Sequence, residues 1–171
     1  MLVLLLTAAL AAPPAAPPPA ALAPDLAAWA TRVGVALPTA DGVAVQPLPD
    51  GVAFVGRGVS LRLSDRIPGA DAPAAAAVAR ELEPFAQAGL TASAVAPVAC
   101  TVAGAPGTCQ QATLSMGPGA TMTVTAGGPA AGGWVAVCLD RRGAGGPPCA
   151  GILDPSADGS PGDPPAAQPG G

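Results

Sequence analysis

The sequence predicts an α+β fold: one domain with an antiparallel sheet of about five to seven strands, a main helix packed on it and a short N-terminal helix. Two observations carry this prediction. Segments in which apolar residues recur at helical spacing are separate from segments in which they alternate as in strands. The turns between the later strands are short and rich in glycine and proline, which makes neighbouring strands antiparallel.

Length and charge limit the function classes. The chain has 171 residues, about one domain, and carries a net charge of -4 with seven arginines and no lysine. Three of its 11 acidic residues lie near the C-terminus, so the rest of the chain is almost neutral. Beyond Arg141 and Arg142 no basic residues cluster, which argues against nucleic acid as a partner because phosphate binding needs a positive surface.

The first residues predict a signal peptide. An apolar run from Leu2 to Ala12 is too short to cross the ~30 Å hydrocarbon core of a bilayer as a helix. Ala9 and Ala11 supply the small residues of a cleavage site, so we expect residues 1–11 to be removed and the chain to be periplasmic or secreted, without a membrane span. No arginine precedes the run, which leaves two alternatives open: the natural start lies upstream, or the segment is kept as a weak anchor.

A spacer and a short helix follow. Residues 12–24 are almost wholly alanine and proline, a composition typical of an extended, semi-rigid linker. From Asp25 to Gly34, Leu26, Trp29 and Val33 recur at helical spacing behind a capping aspartate and before a terminating glycine. The single predicted domain begins here and runs over residues 25–153.

The first half of the domain predicts strands and then the main helix. Strands are expected over residues 42–48, 52–56 and 59–66, with Arg62 on the solvent face of the third. The main helix follows, with Asp71 as its cap, Val78, Leu82 and Phe85 on its apolar face, and Gly89 as its stop. Pro84 is expected to kink or shorten this helix, because its ring removes a backbone donor.

The second half predicts an antiparallel meander with strands over residues 92–102, 108–116, 120–126 and 133–139. In the third of these strands Met122 and Val124 are expected to face the core, and Thr121, Thr123 and Thr125 the solvent. The last strand is apolar on both faces, which predicts a central position in the sheet. Residues 154–171 lack large apolar residues and are predicted to form a disordered tail.

The four cysteines predict two disulfides. Export favours oxidised cysteines, and the wide spacing of Cys100, Cys109, Cys138 and Cys149 suits neither a redox pair nor a zinc site. Three pairings are open from the sequence; we favour Cys100 with Cys109 and Cys138 with Cys149, because each would close a loop containing glycine and proline. By chain entropy each would contribute about 2.5 to 3 kcal/mol.

Catalytic groups are scarce. The chain has no histidine, which removes the commonest general base and the usual nucleophilic triads. Glu81 and Glu83 point to different faces of the main helix, and Asp65 and Asp71 flank a loop in which capping is the simpler role. We therefore predict no catalytic residue, no metal ligand and no cofactor.

These observations favour an exported, non-catalytic domain of a bacterium with a GC-rich genome, binding a partner protein or taking part in envelope assembly. Arg141 and Arg142, between Cys138 and Cys149, are the candidate interaction residues. Two alternatives remain open. One is an enzyme with carboxylate-based chemistry, and the other is an inhibitor-like module that presents the Cys138–Cys149 loop to a protease.

Overall fold

A computed structural model describes residues 25–39, 41–66, 72–129, 132–141 and 148–155. The fold is α+β, as predicted, and the strands form one antiparallel sheet. The sheet has eight strands, which corrects the expected five to seven. The predicted signal peptide and spacer lie outside the described residues, as does the predicted tail from residue 156 onward.

Among the described residues, two helices and eight strands follow one another in this order: α1 (Leu26–Val33), β1 (Ala44–Leu48), β2 (Gly51–Val55), β3 (Val59–Asp65), α2 (Pro73–Gln87), β4 (Ala96–Val102), β5 (Ala105–Gly117), β6 (Ala120–Gly127), β7 (Trp134–Asp140) and β8 (Leu153–Pro155). Within the sheet the order is β1-β2-β3-β7-β6-β5-β4-β8. Strand β7 therefore joins the first three strands to the later meander, which confirms its predicted central position.

Helix α1 forms where its caps predicted it. The Asp25 carboxylate accepts a hydrogen bond from the Ala28 amide at 3.0 Å, and Gly34 ends the helix in the left-handed conformation with φ 78°. Trp29 and Val33 are buried on one side of the sheet. The Arg32 guanidinium lies 4.5 Å from the Trp29 ring centroid and pairs with Asp65 at 2.7 Å, so it fastens α1 to the end of β3.

Helix α2 differs from the prediction at its start and at Pro84. Ala72 stands at the N-cap without a side-chain hydrogen bond, and the predicted cap, Asp71, lies outside the described residues. The helix continues three residues beyond Pro84 to Gln87, so the proline does not shorten it to its own position. Gly89 terminates the helix as predicted, because the Gly89 and Leu90 amides donate to the Ala86 and Phe85 carbonyls.

Strand β7 separates two apolar cores. On one face Trp134, Ala136 and Cys138 pack in a cluster that includes α1 and the segment before β8. On the other face Val135 and Val137 pack against Ala77 and Val78 of α2. A strand that is buried on both faces requires apolar residues at consecutive positions, which explains the unbroken apolar run of β7.

Strand β8 was not predicted. It pairs with β4 through Cys100, Thr101 and Val102, and it contains Asp154 and Pro155, which the sequence assigned to the tail. The sheet therefore extends two residues beyond the predicted domain boundary at Leu153. Three residues are too few to show an alternating pattern, so the sequence offers no strand signal there.

Two polar side chains are more buried than predicted. Arg62 was expected to face water, but its side chain is only 25% exposed because it lies on the face that α2 covers. Thr125 was expected on the solvent face and is buried instead, paired with Cys138 in the β6–β7 register. Its hydroxyl accepts a hydrogen bond from the Gln111 side chain at 2.9 Å, which satisfies the buried oxygen.

Candidate functional site

A pocket of about 190 Å³ lies at the end of the sheet where β2 turns into β3. It is on the same face of the sheet as α2, but no residue of α2 lines it. We call it the Arg141 pocket, and its lining comprises Val55, Gly56, Gly58, Val59, Ser60, Met122, Leu139 and Arg141.

Strand register forms the floor of the pocket. Ser60 is paired with Val55 on one side and with Leu139 on the other, so the three side chains make one row across β2, β3 and β7. Side chains that are paired across antiparallel strands point to the same face. The short serine therefore lies between two larger apolar residues and leaves a depression, which Met122 of β6 borders.

The rim is held by two backbone hydrogen bonds. The Gly56 amide donates to the Val59 carbonyl at 2.9 Å, and the Arg141 amide donates to the Gly58 carbonyl at the same distance. Gly58 has φ 80°, a conformation that side-chain-bearing residues rarely adopt. This turn fixes the Arg141 backbone beside the pocket, directly after the end of β7.

The charge of the pocket comes from Arg141. This side chain is exposed, and no described residue forms a hydrogen bond or ion pair with its guanidinium. No acidic residue is among the described residues that line the pocket. The described part of the lining therefore combines an apolar floor with the positive charge of Arg141.

A disulfide lies behind the floor. Cys138 pairs with Cys149, with Cα atoms 5.9 Å apart, and the Cys149 Sγ lies 3.4 Å from the Ser60 carbonyl oxygen. The second disulfide joins Cys100 to Cys109 across β4 and β5, also with Cα atoms 5.9 Å apart. Both pairings are those favoured from the sequence.

Of the two arginines predicted as interaction residues, Arg141 lies at the pocket and Arg142 lies outside the described residues.

The carboxylates considered for acid–base chemistry are not brought together. Glu81 pairs with Arg62 at 3.0 Å, whereas Glu83 is exposed and accepts a hydrogen bond from Gln87 at 3.2 Å. Asp65 pairs with Arg32 of α1. The structure therefore places these groups in separate ion pairs or hydrogen bonds, with Glu81 partly buried and Glu83 exposed.

A network of ion pairs between α2 and the sheet joins residues whose proximity was not predicted from the sequence. The Asp50 carboxylate accepts hydrogen bonds from the Arg62 guanidinium at 2.8 Å and from the Arg80 guanidinium at 3.1 Å. Arg80 also donates a hydrogen bond to the buried hydroxyl of Ser64 at 3.2 Å. Burial alone would raise the pKa of Asp50, but the hydrogen bond from Arg62 and the charges of both arginines together hold that pKa below its ordinary value. The Asp50 carboxylate therefore stays ionised and serves as an acceptor that ties α2 to the β1–β2 turn.

The chain matches no known protein-family model, no curated protein and no solved structure. Within the described ranges no group of three or more histidine, cysteine, aspartate or glutamate residues is arranged to hold a metal ion. Neither α1 nor α2, the helices of the described part, is long and apolar enough to span a membrane.

Proposed function

We propose that this protein is an exported, non-catalytic binding domain that recognises its ligand or partner at the Arg141 pocket. The observation that carries the proposal is the exposed Arg141 guanidinium, which has no partner in the described part of the chain and stands beside an apolar depression. A few well-placed polar groups beside an apolar surface are typical of binding sites. Export is supported by the apolar N-terminal run and by two disulfides, which are typical of oxidising compartments.

The lowered pKa of Asp50 argues against this carboxyl as a general acid. A general acid at neutral pH needs a carboxyl group whose pKa is raised, and the arginines around Asp50 act in the opposite direction. Asp50 pairs with Arg80 of α2, and Glu81 of α2 pairs with Arg62 of β3, so both partly buried carboxylates form ion pairs that hold the helix on the sheet. The network therefore has a structural role.

The test is a binding experiment on the full mature protein. A soluble fraction of small molecules and short peptides from the envelope of the native host is added to ¹⁵N-labelled protein, and amide chemical shifts are followed. We expect shifts confined to residues around the pocket, such as Ser60 and Leu139, and their loss in Arg141→Gln. Shifts that are confined to another surface, or that persist unchanged in Arg141→Gln, contradict the assignment of the site.

A further inference from the structure

The size of the Arg141 pocket limits what it can bind. Ligand sites for drug-sized molecules and cofactors occupy roughly 300–1,000 Å³. The Arg141 pocket has about 190 Å³, so it accommodates a group the size of one aliphatic side chain rather than a nucleotide or a whole cofactor. Its floor of valine, methionine and leucine side chains favours an apolar body for that group.

The positive charge at the pocket favours a ligand that carries a negatively charged group as well as the apolar body. Among the described residues of the lining, Arg141 is the one that carries a charge. A guanidinium binds a carboxylate through two parallel hydrogen bonds, and one carboxylate neutralises one guanidinium. A phosphate ester carries up to two negative charges at neutral pH. The described residues of the lining offer one positive charge, which matches a monocarboxylate better.

We infer that the Arg141 pocket binds a monocarboxylate with a small branched aliphatic body, its carboxylate on Arg141 and its apolar end over Ser60 between Val55 and Leu139. This inference rests on the proposed function and names the ligand class of the same site. Two sources share this chemistry: the C-terminal aliphatic residue of a peptide, and a free short-chain acid.

The experiment titrates three probes into ¹⁵N-labelled protein and follows the amide shifts. N-acetyl-L-leucine represents a peptide C-terminus, 4-methylpentanoate represents a free acid, and N-acetyl-L-leucinamide has the same shape as the first probe but no charge. We expect both acids to shift the amides of Gly56, Gly58, Ser60 and Leu139. The amide probe should bind about tenfold more weakly, because hydrogen bonds between charged partners are roughly twice as strong as neutral ones.

Variants distinguish a direct contact between Arg141 and the carboxylate from a general electrostatic attraction to the protein. Arg141→Gln should weaken the acids by about tenfold and leave the amide probe unchanged, because only the charged contact is lost. Arg57→Gln is the matched control, since Arg57 is an exposed arginine in the same turn and does not line the pocket. Ser60→Leu fills the floor and should abolish binding of all three probes. Thermal unfolding of each variant shows that its fold is intact.

The outcomes distinguish the ligand class from the binding function. If N-acetyl-L-leucine binds more tightly than 4-methylpentanoate, the inference is supported and the ligand is a peptide C-terminus. If the two acids bind equally tightly, the inference is supported and the aliphatic acid alone is the recognised unit. Equal binding of acid and amide overturns the ligand class, as does equal weakening by Arg57→Gln. If the acids fail but the host fraction shifts the pocket amides, the inference falls and the proposed function stands. If neither shifts the pocket, both fall.

Discussion

Gly51 lies against the carbonyl oxygen of Leu63 so closely that a side-chain carbon at position 51 would overlap that oxygen and the Cα of Ser64. The contact exists because Gly51 is paired with Ser64 at the start of the β2–β3 ladder, directly after the Pro49–Asp50 turn. The obstructing atoms belong to the backbone of β3. This strand is hydrogen-bonded to β2 on one side and to β7 on the other, so its backbone is held in place.

We therefore expect Gly51→Ala to lower the free energy of unfolding by about 3 kcal/mol or more, at the upper end of the cost of overpacking. Urea unfolding followed by circular dichroism measures this value. Gly107→Ala is the matched control, because the new carbon would contact only Val102 Cγ2, at 3.9 Å. A loss in Gly51→Ala no larger than that in Gly107→Ala would show that the β2–β3 approach is looser than described.

Gly127 predicts a second, smaller effect in the other half of the sheet. A side-chain carbon at this position would lie 2.6 Å from the Cys109 Sγ and 2.9 Å from Leu153 Cδ1. The Leu153 atom is the end of a flexible side chain, so its movement relieves part of the overlap, whereas the Cys109 Sγ is held in the disulfide with Cys100. We expect Gly127→Ala to cost about 1–3 kcal/mol in urea unfolding. The cost should fall in the background of Leu153→Ala, which removes one of the three nearby atoms, the third being Val102 Cγ2 at 3.1 Å; an unchanged cost there contradicts the contact.

The lowered pKa of Asp50 predicts how stability depends on pH. A carboxyl group whose pKa is lower in the folded than in the unfolded state contributes stability above its unfolded pKa, and this contribution is lost as the pH falls through the folded value. The difference in unfolding free energy between the native protein and Asp50→Asn should therefore be constant near neutral pH and shrink below about pH 4. Asp41→Asn serves as the control, because the Asp41 side chain is exposed and pairs with no described residue. If the difference in unfolding free energy between the native protein and Asp50→Asn grows as the pH falls, the pKa of Asp50 is not lowered in the folded state.

Local sequence patterns predicted the elements but not every neighbour of a side chain. Alternation in β3 correctly places Ser60, Arg62 and Ser64 on one face. It does not show that α2 lies on that face, so Arg62 was assigned to solvent although it pairs with Glu81 of the helix. Thr125 was assigned to solvent for a similar reason, because its partner in the β6–β7 register, Cys138, belongs to a core cluster that the sequence of β6 alone does not reveal.

The candidate site shows the same limit. Arg141 was singled out from the sequence because it lies in a loop between two cysteines. The floor of the pocket depends on Ser60 being paired with Leu139, which is 79 residues later in the chain. Register between strands so far apart is set by the packing of the whole sheet, and one sequence does not display it.

The proposed export predicts the mass of the mature protein. Intact protein from the native host should begin at Ala12 and weigh about four hydrogens less without reductant than with it, because two disulfides hold four thiol hydrogens fewer. Mass spectrometry under both conditions tests the cleavage site and the disulfides together. A chain that begins at Met1 with four free thiols would contradict both and would place the protein in a reducing compartment.

The two disulfides differ in their distance from the candidate site, and this difference yields a matched pair of variants. The double variant Cys138→Ala/Cys149→Ala removes the bond behind the floor of the Arg141 pocket, where Cys149 lies against the Ser60 carbonyl. The double variant Cys100→Ala/Cys109→Ala removes a bond between β4 and β5, and neither strand lines the pocket. Each variant should lose about 2.5 to 3 kcal/mol of unfolding free energy, because the closed loops are of similar length.

Binding should separate the two variants. At a temperature at which both are folded, N-acetyl-L-leucine is titrated into each and the amide shifts of Ser60 and Leu139 are followed. We expect weaker binding only in Cys138→Ala/Cys149→Ala, because the support of the β3 backbone beneath the floor is lost there. Equal affinities in the two variants would show that the disulfide stabilises the fold without shaping the pocket. Weaker binding in the Cys100→Ala/Cys109→Ala variant alone would contradict the position of the site.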